Sequence, residues 1–433
     1  MPLYLKYSLI LMVMMNALVG LGQSKEKPRV IVSTDIGGTD PDDNQSMIHL
    51  MMYSDLFHIE GLISSPYGNG RKKDLLDMIA LYEKDFPKLV SHNKNLTPPN
   101  ALRQVCKQGV ISGAPYAGYT TASEGSAWIV TCAKKKSNQP LWVLVWGGLE
   151  DVAQALHDAP EIENKIRVYW IGGPNKKWSV NAYSYIVEHH PNLWMIEANA
   201  TYRGWFMEDE NAPKNMSEGA YYDNFIKGKG AMGADFINYY KGHIKMGDTP
   251  SLAYLMNGNP SNPKGESWGG RFTPIAYSSR HIFERNTTTA DTIPAYGVVE
   301  WRFKGPLLNL PADSVCFTIE IQKQEWPGYY LGNGVYGVRY SSKKPEVSSY
   351  VTHSAISALN AQKGQYVSTV PWPGKPNKDD YRLGKQWYGD VPEAAFFLGE
   401  QQGARTVSKY RAAFLGDWAK RWKWLNISHS EFR

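Results

Sequence analysis

The stretch that decides the fold reads Val30-Ile-Val-Ser-Thr-Asp35-Ile-Gly-Gly-Thr-Asp40-Pro-Asp42-Asp43. Its β-branched start is typical of a buried parallel strand, and the two glycines allow the chain to turn where that strand ends. The last two aspartates begin a helical pattern, where carboxylates suit the positive end of the helix dipole. The sequence therefore predicts a strand, a turn and a helix, with four aspartates at the strand's carboxyl end.

Crowded carboxylates of this kind repel one another unless a cation lies among them. Oxygen ligands favour calcium or magnesium over softer metals, and ligands of α/β sheets gather at the carboxyl edge of the strands. The spacing differs from that of an EF-hand. We therefore expect a metal site, while a purely structural role in capping the helix and filling the turn is the alternative.

Length and composition bound the function. With 433 residues the chain can form a large core and a second module. Its 15 Trp and 27 Tyr are numerous enough to fill a core or to line a sugar-binding cleft. The net charge of +6, without a block of lysine and arginine, argues against a nucleic-acid partner.

Residues 1–22 have the pattern of a secretory signal peptide. Lys6 supplies the positive charge, an apolar run follows, and small residues come before Gln23. The run is short for a membrane-spanning helix, although an uncleaved anchor is the alternative. We expect a secreted or periplasmic protein without a membrane partner after cleavage; a homo-oligomer is left open.

The three cysteines are Cys106, Cys132 and Cys316. Their number and spacing fit neither a disulfide scaffold nor a zinc site. Cys106 could pair with Cys132 in an oxidising compartment, or all three could be buried thiols.

From Arg29 to about Ala200, strand-like and helix-like segments alternate. Predicted strands cover residues 30–33, 59–64, 141–146, 166–172 and 193–198, and predicted helices include 73–86 and 149–159. This order indicates right-handed βαβ units and a mostly parallel sheet.

From about residue 274 the pattern alternates with period two, which predicts an antiparallel β module. Helical character is predicted to return at 350–362 and at the C-terminus. There, Tyr410, Phe414, Trp418 and Trp422 recur every four residues among basic side chains. Such a helix can bind membranes, but we expect it to pack on the core of the first domain. The predicted domains are a signal peptide at 1–22, a first domain at 27–275, a β-rich module at 276–350 and a helical return to the first domain at 351–433.

Further motifs follow the later strands in order. They are Gly61-Leu-Ile-Ser-Ser-Pro-Tyr-Gly68-Asn69, Val145-Trp-Gly-Gly-Leu149-Glu150-Asp151, Ile171-Gly-Gly173, Ser179-Val-Asn181, Gly247-Asp248-Thr-Pro and Trp268-Gly-Gly-Arg. With the acidic loop they resemble the landmarks of the inosine-uridine nucleoside hydrolase family. More closely, they resemble nucleoside hydrolase-like proteins of the cellulose-binding Sde182 (DUF1593) type.

The resemblance covers roughly residues 29–275 and a C-terminal helix near 405–425. It implies an α/β fold with a nucleoside hydrolase-like mostly parallel sheet flanked by helices. The antiparallel β module, predicted from the alternating pattern, is inserted into this fold and is not covered by the resemblance.

The resemblance also implies a pocket in which one calcium ion, Ca²⁺, touches the ribose hydroxyls and the attacking water. Asp35 matches the acid that binds the metal and acts as general base. Asp42 matches the residue on a ribose hydroxyl, and Asp43 and Asp248 match calcium ligands. Glu150 falls where the family offers a backbone carbonyl to the metal.

Asn69 and Asn181 match amides that bind the ribose. Each has a structural alternative, because Asn69 suits a turn and Asn181 suits a helix start. Asp248 likewise suits a helix start. Trp178, Trp205 and Tyr67 lie near the matched segments, where they could stack on a sugar or base or pack in the core.

The chain departs from the family pattern at three positions. Ser33 replaces an acid of the calcium loop, which Asp40 and other extra residues lengthen. Ser179 stands where the family has a glutamate that binds the ribose 5′-hydroxyl. Gly247 stands where many members have the histidine that helps the base to leave. These changes are compatible with metal binding and favour a larger or differently substituted sugar.

The leading hypothesis is a secreted calcium-dependent hydrolase of N-ribosyl or related glycosidic bonds, in which the metal and Asp35 activate water. Carboxylates stabilise the positive charge that grows on the sugar, and a general base near neutrality takes the proton from water. Its partner would be a nucleoside, a riboside or another carbohydrate.

The alternative is a non-catalytic protein on the same fold that binds a cellulose-like polysaccharide. In that case the β module could present aromatic side chains on one face, namely Trp301, Trp326, Tyr329 and Tyr330. A haloacid dehalogenase phosphatase is not favoured, because Thr34-Asp35-Ile-Gly lacks the required second aspartate.

Overall fold

The structure, a computed structural model, describes residues 26–65 and 68–426. The predicted signal peptide and Tyr67 lie outside this range. The strands are β1 Arg29–Thr34, β2 His58–Ser64, β3 Cys106–Gln108, β4 Leu141–Trp146, β5 Ile166–Ile171, β6 Trp194–Ala198, β7 Phe272–Pro274, β8 Tyr277–Ser278, β9 Arg280–Phe283, β10 Thr292–Pro294, β11 Val298–Lys304, β12 Val315–Ile321, β13 Gln324–Gly332, β14 Val335–Tyr340, β15 Glu346–His353, β16 Lys363–Thr369, β17 Tyr381–Arg382 and β18 Trp387–Asp390.

The α-helices flank the first half of the chain and close it at the C-terminal end. They are α1 Asp42–Met52, α2 Lys72–His92, α3 Pro99–Gln104, α4 Glu124–Lys134, α5 Glu150–Asp158, α6 Asn175–Trp178, α7 Val180–His189, α8 Gly230–Phe236, α9 Thr249–Met256, α10 Arg405–Ser408 and α11 Arg411–Trp422.

The first sheet has the strand order β3-β2-β1-β4-β5-β6-β18-β7. All neighbours are parallel except β7, which is antiparallel to β18. The five predicted strands are therefore present, and the prediction of a mostly parallel sheet is confirmed. Because the strands are parallel, the loops that follow β1, β4 and β5 meet at one edge of the sheet.

Helices cover both faces of this sheet. Side chains on one face of β1, such as Val30, belong to one buried cluster, and Ile31 on the other face belongs to a second. Phe414, Trp418 and Trp422 of α11 lie fully buried in the first cluster. The C-terminal helix thus packs on the core of the first domain, as predicted from its aromatic spacing.

The second sheet has the order β10-β16-β15-β12-β13-β14-β11-β9. Its central pairs are antiparallel, and a parallel pair lies at each edge. The predicted antiparallel module is therefore present, but the predicted helix at 350–362 is wrong. Those residues form the end of β15, a 3-10 turn at Ser357–Leu359 and the approach to β16. Only the short Ser-Ala-Leu turn is helical, and the flanking alternation of buried and exposed residues belongs to paired strands.

The expected aromatic face of the β module is also wrong as a free binding surface. Trp301, Trp326, Tyr329 and Tyr330 are all buried. Trp301, Trp326 and Tyr330 form part of the module's own core, while Tyr329 lies against Tyr116 of the first domain. Their large apolar area stabilises the module and its contact with the first domain instead.

All three cysteines are free thiols; Cys106 and Cys132 are buried and Cys316 is partly buried. Among residues 26–65 and 68–426, no helix has the length and apolarity needed to cross a bilayer.

Candidate active site

Three carboxylates meet at the carboxyl edge of the first sheet. Asp42 and Asp43 begin α1 after the loop that follows β1, and Asp248 precedes α9. One oxygen atom of each lies within 4.8 Å of the others. Asp43 and Asp248 are buried, and Asp42 is partly exposed. Residues 205 positions apart thus form one acidic group.

Short hydrogen bonds orient the first two carboxylates. The Thr34 hydroxyl at the end of β1 donates to Asp43 Oδ1 and accepts a bond of 3.1 Å from the Ile36 backbone N–H. The Gly247 N–H donates to Asp42 Oδ2 over 3.1 Å. Each carboxylate therefore has one oxygen fixed by the protein.

Gln45, one turn into α1, holds the segment that carries Asp248. Its Oε1 accepts hydrogen bonds from the backbone N–H groups of Lys245 at 2.9 Å and Met246 at 3.1 Å. Its Nε2 donates to the His243 carbonyl over 2.8 Å. The helix that supplies two of the carboxylates thereby positions the third.

Asp35 lies directly after β1 and lines a cavity of about 460 Å³. Gly147, after β4, packs against it; a Cβ at that glycine would lie 2.8 Å from the Cβ of Asp35. The adjacent strands of the parallel sheet therefore place Asp35 at the cavity, beside the carboxylate group.

Burial and mutual repulsion raise the pKa values of these acids. Burial, together with the charge of Asp40, raises the pKa of Asp35 to about 6. The same causes raise the pKa of Asp42 to about 8, against the opposing charge of Lys245. The pKa values of Asp43 and Asp248 lie well above the usual aspartate range, first because of burial and then because of neighbouring carboxylates. Metal-free, the site strongly disfavours its charged form.

The acidic group fits a hard divalent cation. Its oxygens are the ligands that calcium or magnesium prefers, and a cation would remove the repulsion that raises their pKa values. In addition, Asp248 Oδ2 is buried and has no hydrogen-bond partner within the described chain. An unsatisfied buried carboxylate oxygen beside two further carboxylates is an expected feature of a ligand position.

The structure places the seven predicted site residues unequally. Asp42, predicted to bind the sugar, lies in the carboxylate group with the predicted ligands Asp43 and Asp248. Asp35 lines the cavity beside that group of three, and its side chain is hydrogen-bonded to Asp43. Glu150 begins α5, where its Oε2 accepts a hydrogen bond of 3.0 Å from Ser179.

The two predicted sugar-binding amides lie in different elements. Asn181 is in α7, where it donates to the Ala114 carbonyl at 3.1 Å and accepts from Arg339 of β14 at 3.5 Å. The bond from Arg339 connects the first domain to the second sheet. Asn69 is exposed in the turn before α2, and its neighbour Gly68 lines the cavity.

Two of the departures have local physical reasons. The Ser179 hydroxyl accepts a hydrogen bond of 2.8 Å from the Leu149 backbone N–H and donates one to Glu150. It therefore links the starts of α5 and α7. At Gly247 a Cβ would lie 2.4 Å from Asp42 Oδ2, so a larger residue would displace that carboxylate. Ser33 is buried within β1.

Several cavity residues were not predicted from the sequence. Asn175, Lys177 and Trp178 come from α6, and Lys343 comes from the loop between β14 and β15. Trp178 was one of two aromatic candidates within the described residues; it is 39% exposed at the cavity, whereas Trp205 is buried and stacks on Phe414. A positive residue after the β5 turn was a visible signal for Lys177, but no local pattern relates Lys343 to this site.

Residues 29–272 match the sequence model of the family described as cellulose-binding Sde182, nucleoside hydrolase-like domain. The chain belongs to this family. The family and the fold predicted from the motifs are thereby confirmed. Residues 292–355 of the second sheet match DUF5060, a domain of unknown function.

Three solved structures are partly similar to the chain, each with less than 20% identity and a TM-score below 0.5. One is a nucleoside hydrolase-related hypothetical protein from Saccharophagus degradans that is associated with carbohydrate metabolism, with 18% identity, coverage of 80% of this chain and 100% of that chain, and a TM-score of 0.49. Another is the inosine-uridine preferring nucleoside hydrolase from Bacillus anthracis, with 15% identity, coverage of 58% and 86%, and a TM-score of 0.34. A third is the purine-preferring ribonucleoside hydrolase from Gardnerella vaginalis, with 13% identity, coverage of 58% and 84%, and a TM-score of 0.33. No curated protein matches the chain.

Proposed function

We propose that this protein is a secreted, calcium-dependent hydrolase of N-ribosyl or related glycosidic bonds. The observation that carries the proposal is the group of three carboxylates, Asp42, Asp43 and Asp248, beside a cavity lined by Asp35. Four acids at or beside one cavity suit the hydrolysis of a sugar bond better than simple adhesion, because burying them is costly unless a cation or a cationic state offsets the charge.

Asp35 is the proposed general base. Asp35 lines the cavity, and burial among the other acids raises its metal-free pKa to about 6. A bound cation would lower this pKa, so that Asp35 is ionised at neutral pH and can accept a proton from water. The surrounding carboxylates favour the positive charge that grows on the sugar ring as the bond breaks. A divalent cation held by Asp42, Asp43 and Asp248 would orient sugar hydroxyls and make the attacking water more acidic.

Replacing Asp35 tests the catalytic proposal. Asp35→Asn keeps the size of the side chain but removes the base, so we expect hydrolysis of the protein's best nucleoside or riboside to fall by about 10²–10⁴-fold. Asp77→Asn, on the exposed side of α2, changes the net charge equally and serves as the control. Unchanged turnover in Asp35→Asn, with folding verified by circular dichroism, would falsify the assignment.

Carbohydrate binding without catalysis is the second candidate. It is supported by the half-exposed Trp178, which offers an aromatic surface in the cavity. The full chain should then be retained on cellulose, and Trp178→Ala should lose retention while no sugar bond is cleaved. Retention without any hydrolysis across a panel of nucleosides and ribosides would favour this candidate over the hydrolase.

A further inference from the structure

The cavity beside Asp35 has charged groups of both signs. Asp35 and Asp40 come from the acidic loop, while two lysines come from different parts of the fold. Lys177 belongs to α6 of the first domain, and Lys343 belongs to the β module. The module thus adds a positive charge to a cavity whose acids all belong to the first domain.

The groups that contact the ammonium of Lys177 are uncharged. The residue is 6% exposed, and its Nζ donates to Gln324 Oε1 over 2.8 Å. The same nitrogen lies 4.8 Å from the ring centroid of Trp178 and 5.6 Å from that of Trp326. Burial and the charge of Lys343 lower the pKa of Lys177 to about 8. Two lysines close enough to repel each other leave positive charge that an anion would compensate.

Within residues 26–65 and 68–426, no carboxylate forms an ion pair with either lysine. Glu346 is the acidic group that acts on Lys177, but its carboxylate lies 3.7 Å from the Nζ of the neighbouring Lys344. The positive charge of the two lysines is therefore not neutralised by a carboxylate of the described chain. Gln324 and the two indole rings hold Lys177 in place without neutralising it.

We propose that the cavity binds a sugar that carries an anionic substituent, a phosphate or a carboxylate, which Lys177 and Lys343 recognise. The inference rests on the proposed function, because the sugar hydroxyls are assigned to the carboxylate and metal end. The anion is assigned to the lysine end, so that one ligand spans both domains. Ammonium–anion hydrogen bonds are among the strong ones, and their strength increases when water is partly excluded.

The test is calorimetric titration of the calcium-loaded full chain with matched sugars. Ribose is compared with ribose 5-phosphate, and glucose with glucuronate, so that the two arms separate a phosphate from a carboxylate. We expect at least one anionic sugar to bind about tenfold more tightly than its neutral counterpart, and the advantage to shrink as salt is raised from 0.05 to 0.5 M.

Variants show whether the lysines cause the preference. Lys343→Gln should reduce the ratio of neutral to anionic dissociation constants by about fivefold or more, and Lys177→Met should do the same. Lys344→Gln, the next residue along the chain, removes an equal charge outside the cavity and should retain the preference. Any heat from calcium binding to the phosphate sugar in free solution is the same for every variant, because all variants are titrated under the same conditions.

Each outcome decides between the proposals. Equal binding of neutral and anionic sugars overturns the lysine assignment and leaves the hydrolase proposal standing. Equal losses in Lys343→Gln and Lys344→Gln also overturn it, because the effect would then be general charge. When the titrations are repeated after calcium is removed by a chelator, an unchanged affinity and an anion preference that still depends on Lys343 retain the lysine site and contradict the metal-dependent function. Absence of binding by all four sugars overturns both.

Discussion

At position 247 the chain has no room for a side chain. A Cβ there would lie 2.4 Å from Asp42 Oδ2, and the backbone N–H of the same residue donates to that oxygen. The missing histidine of the family pattern is therefore coupled to the position of a carboxylate. Residue 247 holds Asp42 by its backbone, and loss of the side chain allows that contact.

Adding one methyl group at this position should weaken metal binding. Gly247→Ala pushes Asp42 away and breaks its hydrogen bond, so we expect calcium affinity to fall about tenfold or more in calorimetry. Gly113→Ala is the matched control, since its new Cβ meets only ordinary contact at 3.5 Å. Equal calcium affinities for the two variants would contradict the role of Gly247.

The acids also set the direction of a pH effect. In the metal-free fold the pKa of Asp42 is about 8, above the usual aspartate value of about 3.9 in an unfolded chain. Protonation of Asp42 therefore favours the folded state over the unfolded state. The contribution of Asp42 to stability is fully present below about pH 4 and is lost as pH rises through about 8.

Asp42→Asn should consequently stabilise the metal-free protein at high pH. With calcium removed by a chelator, we expect its free energy of unfolding in urea to exceed the wild-type value by roughly a few kcal/mol at pH 8.5. The difference should shrink toward pH 4. A variant less stable than wild type at pH 8.5 would show that ionised Asp42 is not disfavoured in the fold.

At the scale of elements, α1 controls both halves of the carboxylate group. It begins with Asp42 and Asp43, and its Gln45 fixes the segment before Asp248 by three hydrogen bonds. The stretch that leads into Asp248 is thus positioned by a side chain from the opposite end of the domain's sequence. Metal affinity should depend on Gln45 although that residue offers no ligand.

Gln45→Leu tests this positioning role. The change removes the partner of the buried Met246 N–H and of the partly buried backbone groups of residues 243 and 245, which should cost roughly 1–3 kcal/mol of stability. Calcium affinity should fall about tenfold because Asp248 is displaced, although the carboxylates of Asp42 and Asp43 are unchanged. Asn44→Leu, the neighbouring position on α1, is the control. Normal calcium binding in Gln45→Leu would mean that the loop holds Asp248 by itself.

Elements with a local signal were predictable, and those defined by partners were not. The apolar runs at β1, β4 and β5 fixed a parallel sheet, and the aspartates after β1 indicated its functional edge. The sequence predicted a helix at 350–362, where only the turn at Ser357–Leu359 is helical. The pairing of β15 with β16 leaves no signal within these residues themselves. Lys343 was missed for the same reason, since only packing of the second sheet brings it to the cavity.

On the scale of the whole molecule, a buried polar network joins the two sheets. Glu300 of β11 is fully buried and accepts hydrogen bonds from Tyr116 at 2.6 Å and from Arg339 Nε at 3.0 Å. Arg339 also donates to the Tyr116 carbonyl at 2.8 Å and reaches Asn181. Tyr116 and Asn181 belong to the first domain, so the network fixes the module against it. The amide of Asn181 therefore has a clear structural role here.

Arg339→Met should loosen this docking and separate two binding properties. The three carboxylates all belong to the first domain, so calcium affinity should change less than twofold. The cavity also needs Lys343 of the module, so affinity for the preferred anionic sugar should fall about tenfold. Stability should decrease by roughly 1–3 kcal/mol, because Glu300 loses its most buried partner but keeps Arg302, Arg280 and Tyr116. Arg285→Met removes a solvent-exposed guanidinium that pairs with Asp291; it is the control and should leave stability close to that of the wild type. Parallel losses of calcium and sugar affinity in Arg339→Met would instead mean that the module supports the metal site itself.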